Sequence, residues 1–181
     1  MTFHATSLEG VVLIEPKIFE DHRGRFVKTF HQESFAQAGL ETAFEESFYS
    51  VSHQGVLRGM HFQTPPYEHA KLVYVTQGEI LDVALDIRHD SPTFGHYFHT
   101  VLNEKNGHAL YMAKGFAHGF LTKSHSATVV YMTSTLHNAA CDAGIRWDSF
   151  GFGWEGCTDP ILSPRDHLFP PLTRQDLPRD V

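Results

Sequence analysis

The chain is poor in cysteine and in positive charge, and it has no long apolar run. Cys141 and Cys157 are its two cysteines, too few for a disulfide framework and at no metal-ligand spacing. Both are expected to be free thiols of a reducing compartment. No N-terminal apolar run reaches signal-peptide length, and nothing approaches about 18 consecutive apolar residues. A membrane span is therefore not expected, and the chain reads as cytoplasmic. Lys and Arg number 14 against 21 Asp and Glu, a formal net charge of −7. That balance argues against nucleic acid as a partner, because such binding relies on a basic surface. Any phosphorylated ligand would have to be held by local Arg and Lys against an unfavourable global field.

What is abundant is Phe, with 15 residues, and His, with 14. At 181 residues and 41% hydrophobic content the length suits one domain with a sizeable core, spanning 1–181. Short β-prone runs separated by turns dominate: Val11–Ile14, Arg25–Thr29, Phe44–Ser52, Val56–Phe62, Leu72–Thr76, Glu79–Ile87, Tyr97–Leu102, Ala109–Met112, Phe116–Thr122, Ala127–Ser134 and Gly144–Trp147. Gln32–Ala38 is the plausible short helix before the strands. Val73–Leu81 reads as a tight hairpin turning at Gly78. This pattern predicts an all-β sandwich or barrel, best fitted by a jelly roll. Pro164, Pro170, Pro171 and Pro178 cannot sit in central strands. The segment 164–181 is accordingly read as a Pro-rich tail packed on the barrel. Within it, Ser163-Pro164-Arg165-Asp166 has the form of a helix start, with Ser as the cap and Pro in the first turn.

Chemistry concentrates in Leu57-Arg58-Gly59-Met60-His61-Phe62-Gln63, in Lys71-Leu72-Val73, and in Gly115-Phe116-Ala117-His118-Gly119-Phe120. In a regular strand Leu57, Gly59, His61 and Gln63 share one face. Gly59 would clear space for a ligand beside His61. Arg58 then faces away, unless Gly59 is a bulge that re-aims it. His61 reads equally as a general base or as a buried, hydrogen-bonded histidine. Lys71, by itself, reads as an ordinary strand-edge lysine. Asp82 and Asp86 share a face, and the simpler role for both is pairing with Arg88. A metal site is not expected. Gly59 stands where a cupin metal pair would need its first histidine, and His61 with His118 supplies fewer than the three protein ligands of a catalytic zinc.

Taken together, the motifs resemble the nucleotide-sugar 3,5-epimerases of the dTDP-4-dehydrorhamnose type. The matching elements are Asp21-His22-Arg23-Gly24, Leu57–Gln63, Lys71-Leu72-Val73, Gly78–Val83, Asp86-Ile87-Arg88, Ser91–Gly95, Gly115–Phe120, Tyr131 and Leu162–Asp166, in the family's order from about residue 10 to about residue 170. The resemblance implies a cupin-like jelly roll without metal or other cofactor, usually a homodimer, acting on a nucleoside-diphosphate 4-keto-6-deoxy sugar. It implies His61 as base, Asp166 as the partner that orients it, Tyr131 as acid on the opposite sugar face, and Lys71 near the 4-keto oxygen. Arg23 and Arg58 would hold the pyrophosphate, and His118 would line the pocket.

Departures from the family pattern fall on the ligand-contacting positions Glu46, Phe48, Lys28 and His137, which join Gln63 as expected substrate contacts. Where the family has amides, this chain has Glu46 and Phe48. Lys28 replaces an acid and His137 replaces a tyrosine. Lys28 presents only donors, which would suit a base with a ring acceptor, such as cytosine, over thymine. The rival functions are a 3,4-ketoisomerase on a similar fold and a non-catalytic sugar-nucleotide-binding cupin.

Overall fold

The computed structural model describes residues 1–174 and 177. In chain order the elements are β1 (Thr2–Ala5), β2 (Val11–Glu15), β3 (Ile18–Asp21), β4 (Gly24–Val27), α1 (Gln32–Gln37), β5 (Glu46–His53), β6 (Leu57–Gln63), β7 (Lys71–Gln77), β8 (Glu79–Asp86), β9 (Tyr97–Asn103), β10 (Ala109–Met112), β11 (Phe116–Thr122), β12 (Ser126–Thr133), β13 (Asp142–Gly144) and α2 (Pro164–His167). The strands form two main antiparallel sheets, one ordered β1-β2-β10-β7-β12-β5 and the other β13-β6-β11-β8-β9. Strands β3 and β4 make a separate two-stranded ribbon. The fold is the all-β, cupin-like jelly roll expected.

Three apolar layers hold this arrangement. Between the sheets lies a core that includes Val73, Val75, Ile80, Leu110, Phe120 and Val129. The alternation of Ala127, Val129, Tyr131 and Thr133 toward this core, with their neighbours less buried, is the period-two signature of β12. Outside the six-stranded sheet, α1 sets Phe35 against Ile14, Leu72 and Tyr111. Outside the five-stranded sheet, Trp147, Phe150, Phe152 and Trp154 cover Leu81, Val83 and Leu85. Strands β8 and β11 are thus covered on both faces, and their burial is nearly continuous. Truncating a fully buried ring such as Phe35 to Ala would cost about 3–5 kcal/mol.

The strand runs sit close to their expected bounds, with instructive exceptions. The hairpin expected at Gly78 does not form, because β7 and β8 belong to different sheets. Gly78 turns the corner between them with φ 79°, and a Cβ there would lie 2.1 Å from the Ser126 carbonyl oxygen. The strand expected at Gly144–Trp147 is instead β13, ending at Gly144. Ile145 still exchanges two backbone hydrogen bonds with Met60, at 2.9 and 3.1 Å, before the chain departs. The short strands β1 and β3, mostly exposed, lack the apolar alternation that reveals a strand. Of the Pro-rich tail, Leu172 and Leu177 pack into the outer layer. Residues 175, 176 and 178–181, with Pro178, lie outside those described.

Candidate active site

One bulge decides which side chains of β6 reach the interior. Between the paired positions His118↔His61 and Phe120↔Arg58, β11 advances by one intervening residue and β6 by two. The additional residue re-phases the strand, so Arg58 and His61, three apart, both line one cavity. Gly59 is therefore not a clearance for ligand, as its sequence context suggested. With φ 141°, a Cβ on Gly59 would lie 2.5 Å from Gly119 Cα, so the two glycines let β6 and β11 approach at the bulge.

The cavity, about 270 Å³, opens between the two sheets. On the five-stranded side His61 Nε2 meets Asp166 Oδ1 at 2.8 Å. This leaves Nδ1 as the basic nitrogen when Nε2 carries the proton. Asp166 is 3% exposed and also accepts from the Gly59 backbone N–H at 3.3 Å. Ser163 caps α2 by accepting from the Asp166 N–H at 3.1 Å, so the local helix start aims this carboxylate at β6. Burial raises the Asp166 pKa, but hydrogen bonds from His61, Gly59 and Ser163, with the His61 charge, outweigh it and hold the carboxyl below its ordinary value.

Tyr131 faces His61 from β12 of the other sheet. Its ring stacks on Phe48, with centroids 4.8 Å apart and planes at 17°. Its hydroxyl lies 3.1 Å from Ser50 Oγ. Burial pushes the phenol pKa well above its usual value, against smaller lowering effects of Ser50 and Arg58. Lys71 lines the same cavity, and its ammonium makes no hydrogen bond among the described residues. Burial lowers its pKa to about 8, against the opposing influence of Asp82 and Asp142. This is no strand-edge lysine. It is a desolvated ammonium aimed into a cavity.

The remaining expected residues divide. His118 lines the cavity and meets Asp82 at 2.7 Å. Burial lowers its pKa despite that carboxylate, which favours the neutral ring. Asp82 thus pairs with His118 and not with Arg88, whereas Asp86 does bind Arg88. Arg58 is steadied by Ser52 Oγ at 2.9 Å. Glu46, Phe48 and His137 line the mouth, where Glu46 accepts from the His137 backbone N–H at 2.9 Å. Gln63 lines the cavity too, but its amide is committed elsewhere. It donates to the Tyr67 and Leu136 carbonyls and accepts from Asn138 N–H, so it braces loops in place of contacting a ligand. Arg23 and Lys28 are exposed and outside the cavity. Arg23, on the β3–β4 turn, is held by Asp21.

The sequence reading missed Ser50, His69, Asp142 and Arg165, all of them cavity-lining. Asp142 forms a two-pronged pair with Arg165, both contacts 2.7 Å, which staples α2 to β13. Ser50 could have been found, two residues from Phe48 on the same strand face. Asp142 carries no local signal, because its role depends on which loop returns to β6.

An imidazole with a bonded carboxylate on one wall, and a phenol and an ammonium on adjacent strands of the other, are groups that can move a proton through an enolate. A family model described as dTDP-4-dehydrorhamnose 3,5-epimerase matches residues 5–174. The chain belongs to this family. It is 41% identical over 174 residues to the dTDP-4-dehydrorhamnose 3,5-epimerase of Methanothermobacter thermautotrophicus, covering 94% of each chain. The dTDP-6-deoxy-D-glucose-3,5-epimerase of Legionella pneumophila, solved in complex with dTDP-4-keto-L-rhamnose, superposes with a TM-score of 0.92 at 33% identity, covering 98% of this chain and 97% of that one. The 3'-monoepimerase ChmJ of Streptomyces bikiniensis, solved with dTDP-quinovose, gives 0.88 at 35% identity, covering 93% of this chain and 86% of that one. As a member of the family, the chain is a nucleotide-sugar epimerase of deoxysugar biosynthesis, an isomerase. Among the described residues no cluster suited to a metal ion occurs, and no helix is long and apolar enough to cross a membrane.

Proposed function

We propose that the protein inverts C3, and C5 where the sugar allows, of a nucleoside-diphosphate 4-keto-6-deoxy sugar, with no metal or cofactor. The keto group at C4 acidifies the adjacent C–H bonds. His61 Nδ1 takes a proton from one face, and Asp166 fixes the ring's tautomer and stabilises the imidazolium. The electrons move into an enolate whose oxygen faces the Lys71 ammonium. Tyr131 returns a proton from the opposite face, with inversion. Each positioned acid or base contributes about 10²–10⁴-fold, and a cation at the oxyanion about 3–4 kcal/mol by analogy with oxyanion holes.

The observation that carries this reading is the opposition of His61 and Tyr131 on facing sheets with Lys71 in the same cavity. Mere binding would need neither group. Arg58 and His118 are assigned to the sugar and pyrophosphate end, with Glu46, Phe48 and His137 shaping the mouth. Arg23 and Lys28 are assigned to the nucleotide. Phe19 and Phe26 on the same ribbon are 52% and 60% exposed, and a lone two-stranded ribbon is marginal in water. A cytoplasmic homodimer, in which the ribbon of one copy reaches the cavity mouth of the other, accounts for both facts.

Incubation with dTDP-4-keto-6-deoxyglucose in deuterium oxide tests the reaction. Deuterium at C3 of an inverted product is expected. Recovery of unlabelled, uninverted substrate from folded protein would overturn the reading.

A further inference from the structure

An epimerase that swaps a proton between faces finishes each turnover with its base protonated and its acid deprotonated. Tyr131 then carries a phenolate at a site only 7% exposed, where burial opposes charge. Among the described residues its oxygen has one hydrogen-bond partner, Ser50 Oγ. Ser50 Oγ makes no other hydrogen bond among them, so its hydroxyl is free to turn. Strand register produces the contact. Phe48 lies directly across from Tyr131, and Ser50 lies two residues along β5 on the same face, diagonal to the phenol. With Phe48 stacked on one ring face and His118 at its edge, 6.1 Å between centroids, the tyrosine is held in one orientation.

We propose that Ser50 is the positioning residue of the proton return, donating to the Tyr131 oxygen so that the phenol's own proton is left for the enolate carbon, and donating to the phenolate after transfer. The proposal rests on the reading of Tyr131 as the acid. In the step itself the phenol O–H bond breaks, a C–H bond forms at the enolate carbon, and the negative charge passes from enolate to phenolate. Ser50 keeps its own proton throughout. Once product leaves, the phenolate takes a proton from water while the His61 imidazolium gives one up, so the cycle closes with no other reactant. Arg58, tied to Ser52 one step further along the same face, places a positive charge near the phenolate.

The test compares Ser50→Ala and Ser50→Thr with wild type on dTDP-4-keto-6-deoxyglucose in deuterium oxide. It measures label in the unreacted sugar, which reports exchange on the base's face, and label in the inverted sugar. Losing a hydrogen bond to a charged oxygen should slow inversion about 10- to 100-fold in Ser50→Ala, while base-face exchange stays near the wild-type rate. Ser50→Thr, which keeps the hydroxyl, should restore the ratio of inversion to exchange. A merely structural serine would lower both rates together or alter only KM, and either result overturns the proposal. An unchanged ratio in folded Ser50→Ala overturns it as well. If Ser50→Ala does not fold, Ser50→Cys, of similar size and a weak donor, decides by the same ratio, which must fall. Absence of any exchange by the wild type would strike the epimerase reading itself, whatever Ser50 does.

Discussion

Arg58 and His61 sit on a strand paired on both sides, whereas Arg23 sits at the turn of a ribbon that pairs with neither main sheet. In the cavity the ionisable side chains are placed by register, a bulge or a helix cap, and Lys71, Tyr131 and Asp166 are buried. On the ribbon, Arg23 is exposed and, among the described residues, its side chain is bonded to Asp21 alone, two positions before it. The proposed chemistry lies between the two main sheets. The nucleotide contact proposed for Arg23 falls instead on the separate two-stranded ribbon, where a partner chain is proposed to complete it.

The largest effects are expected at the centre. His61→Asn should lower turnover about 10²–10⁴-fold and abolish C3 exchange with the fold intact. Wild-type-like exchange in that variant, followed by NMR, would remove His61 as the base. Tyr131→Phe should separate the two faces, retaining exchange into unreacted sugar while inversion is lost. Equal loss of both with the sugar still bound would show that Tyr131 is not a dedicated acid.

Lys71 gives the next effect, and a sign that distinguishes function from stability. Its folded-state pKa of about 8 lies below the ordinary 10.5 because burial penalises the charge. Between those values the unfolded chain binds more protons, so stability should rise with pH across that window. At neutral pH the charged lysine opposes folding. Lys71→Met should therefore stabilise the protein, by up to about 3 kcal/mol, while slowing turnover about 10²–10³-fold through loss of the oxyanion's partner. The wild-type kcat/KM should fall as pH rises through about 8, where the ammonium is lost. A destabilised Lys71→Met, or a flat profile from pH 7 to about 9, would contradict the assignment.

The same centre-to-edge difference governs what could be read beforehand. Strands of the sandwich announce themselves by alternation, as in Ala127, Val129, Tyr131 and Thr133. The His61–Asp166 pair was legible only through motif resemblance, because 105 residues separate them. Resemblance gave no account of Gly59, whose role is set by Gly119 on the neighbouring strand. Nor did local pattern show that Gly78 begins a change of sheet in place of a hairpin, since both need the same positive φ. The Asp142–Arg165 staple depends on β13 and α2 converging, and no short window of sequence contains both.

At the ribbon the expected effects are smaller and depend on assembly. Light scattering should show a homodimer, and Phe26→Ser, by removing an exposed apolar anchor, should shift it toward monomer. Arg23→Ala should raise KM about 10- to 100-fold, the loss of a charge-assisted bond to phosphate, with kcat little changed. A monomeric wild type with full activity would break the contrast between centre and edge, because one chain would then suffice. So would an Arg23→Ala enzyme with unaltered KM.

Lys28 gives the smallest effect and the sharpest statement about the nucleotide. It follows β4 directly and is exposed, so any hydrogen bond it makes to a base is shared with water and worth about 0.5–1.5 kcal/mol. That corresponds to a preference of roughly 2- to 10-fold. An ammonium presents donors only, whereas thymine and uracil offer a ring N–H that needs an acceptor. Cytosine offers an acceptor at N3 and suits Lys28 better. Competition among dTDP, CDP, UDP and GDP should thus favour CDP over dTDP in the wild type. Lys28→Glu should reverse that order, because a carboxylate accepts the ring N–H. If dTDP binds tightest and Lys28→Glu leaves the order unchanged, Lys28 plays no part in base choice and the ribbon contributes through Arg23 alone.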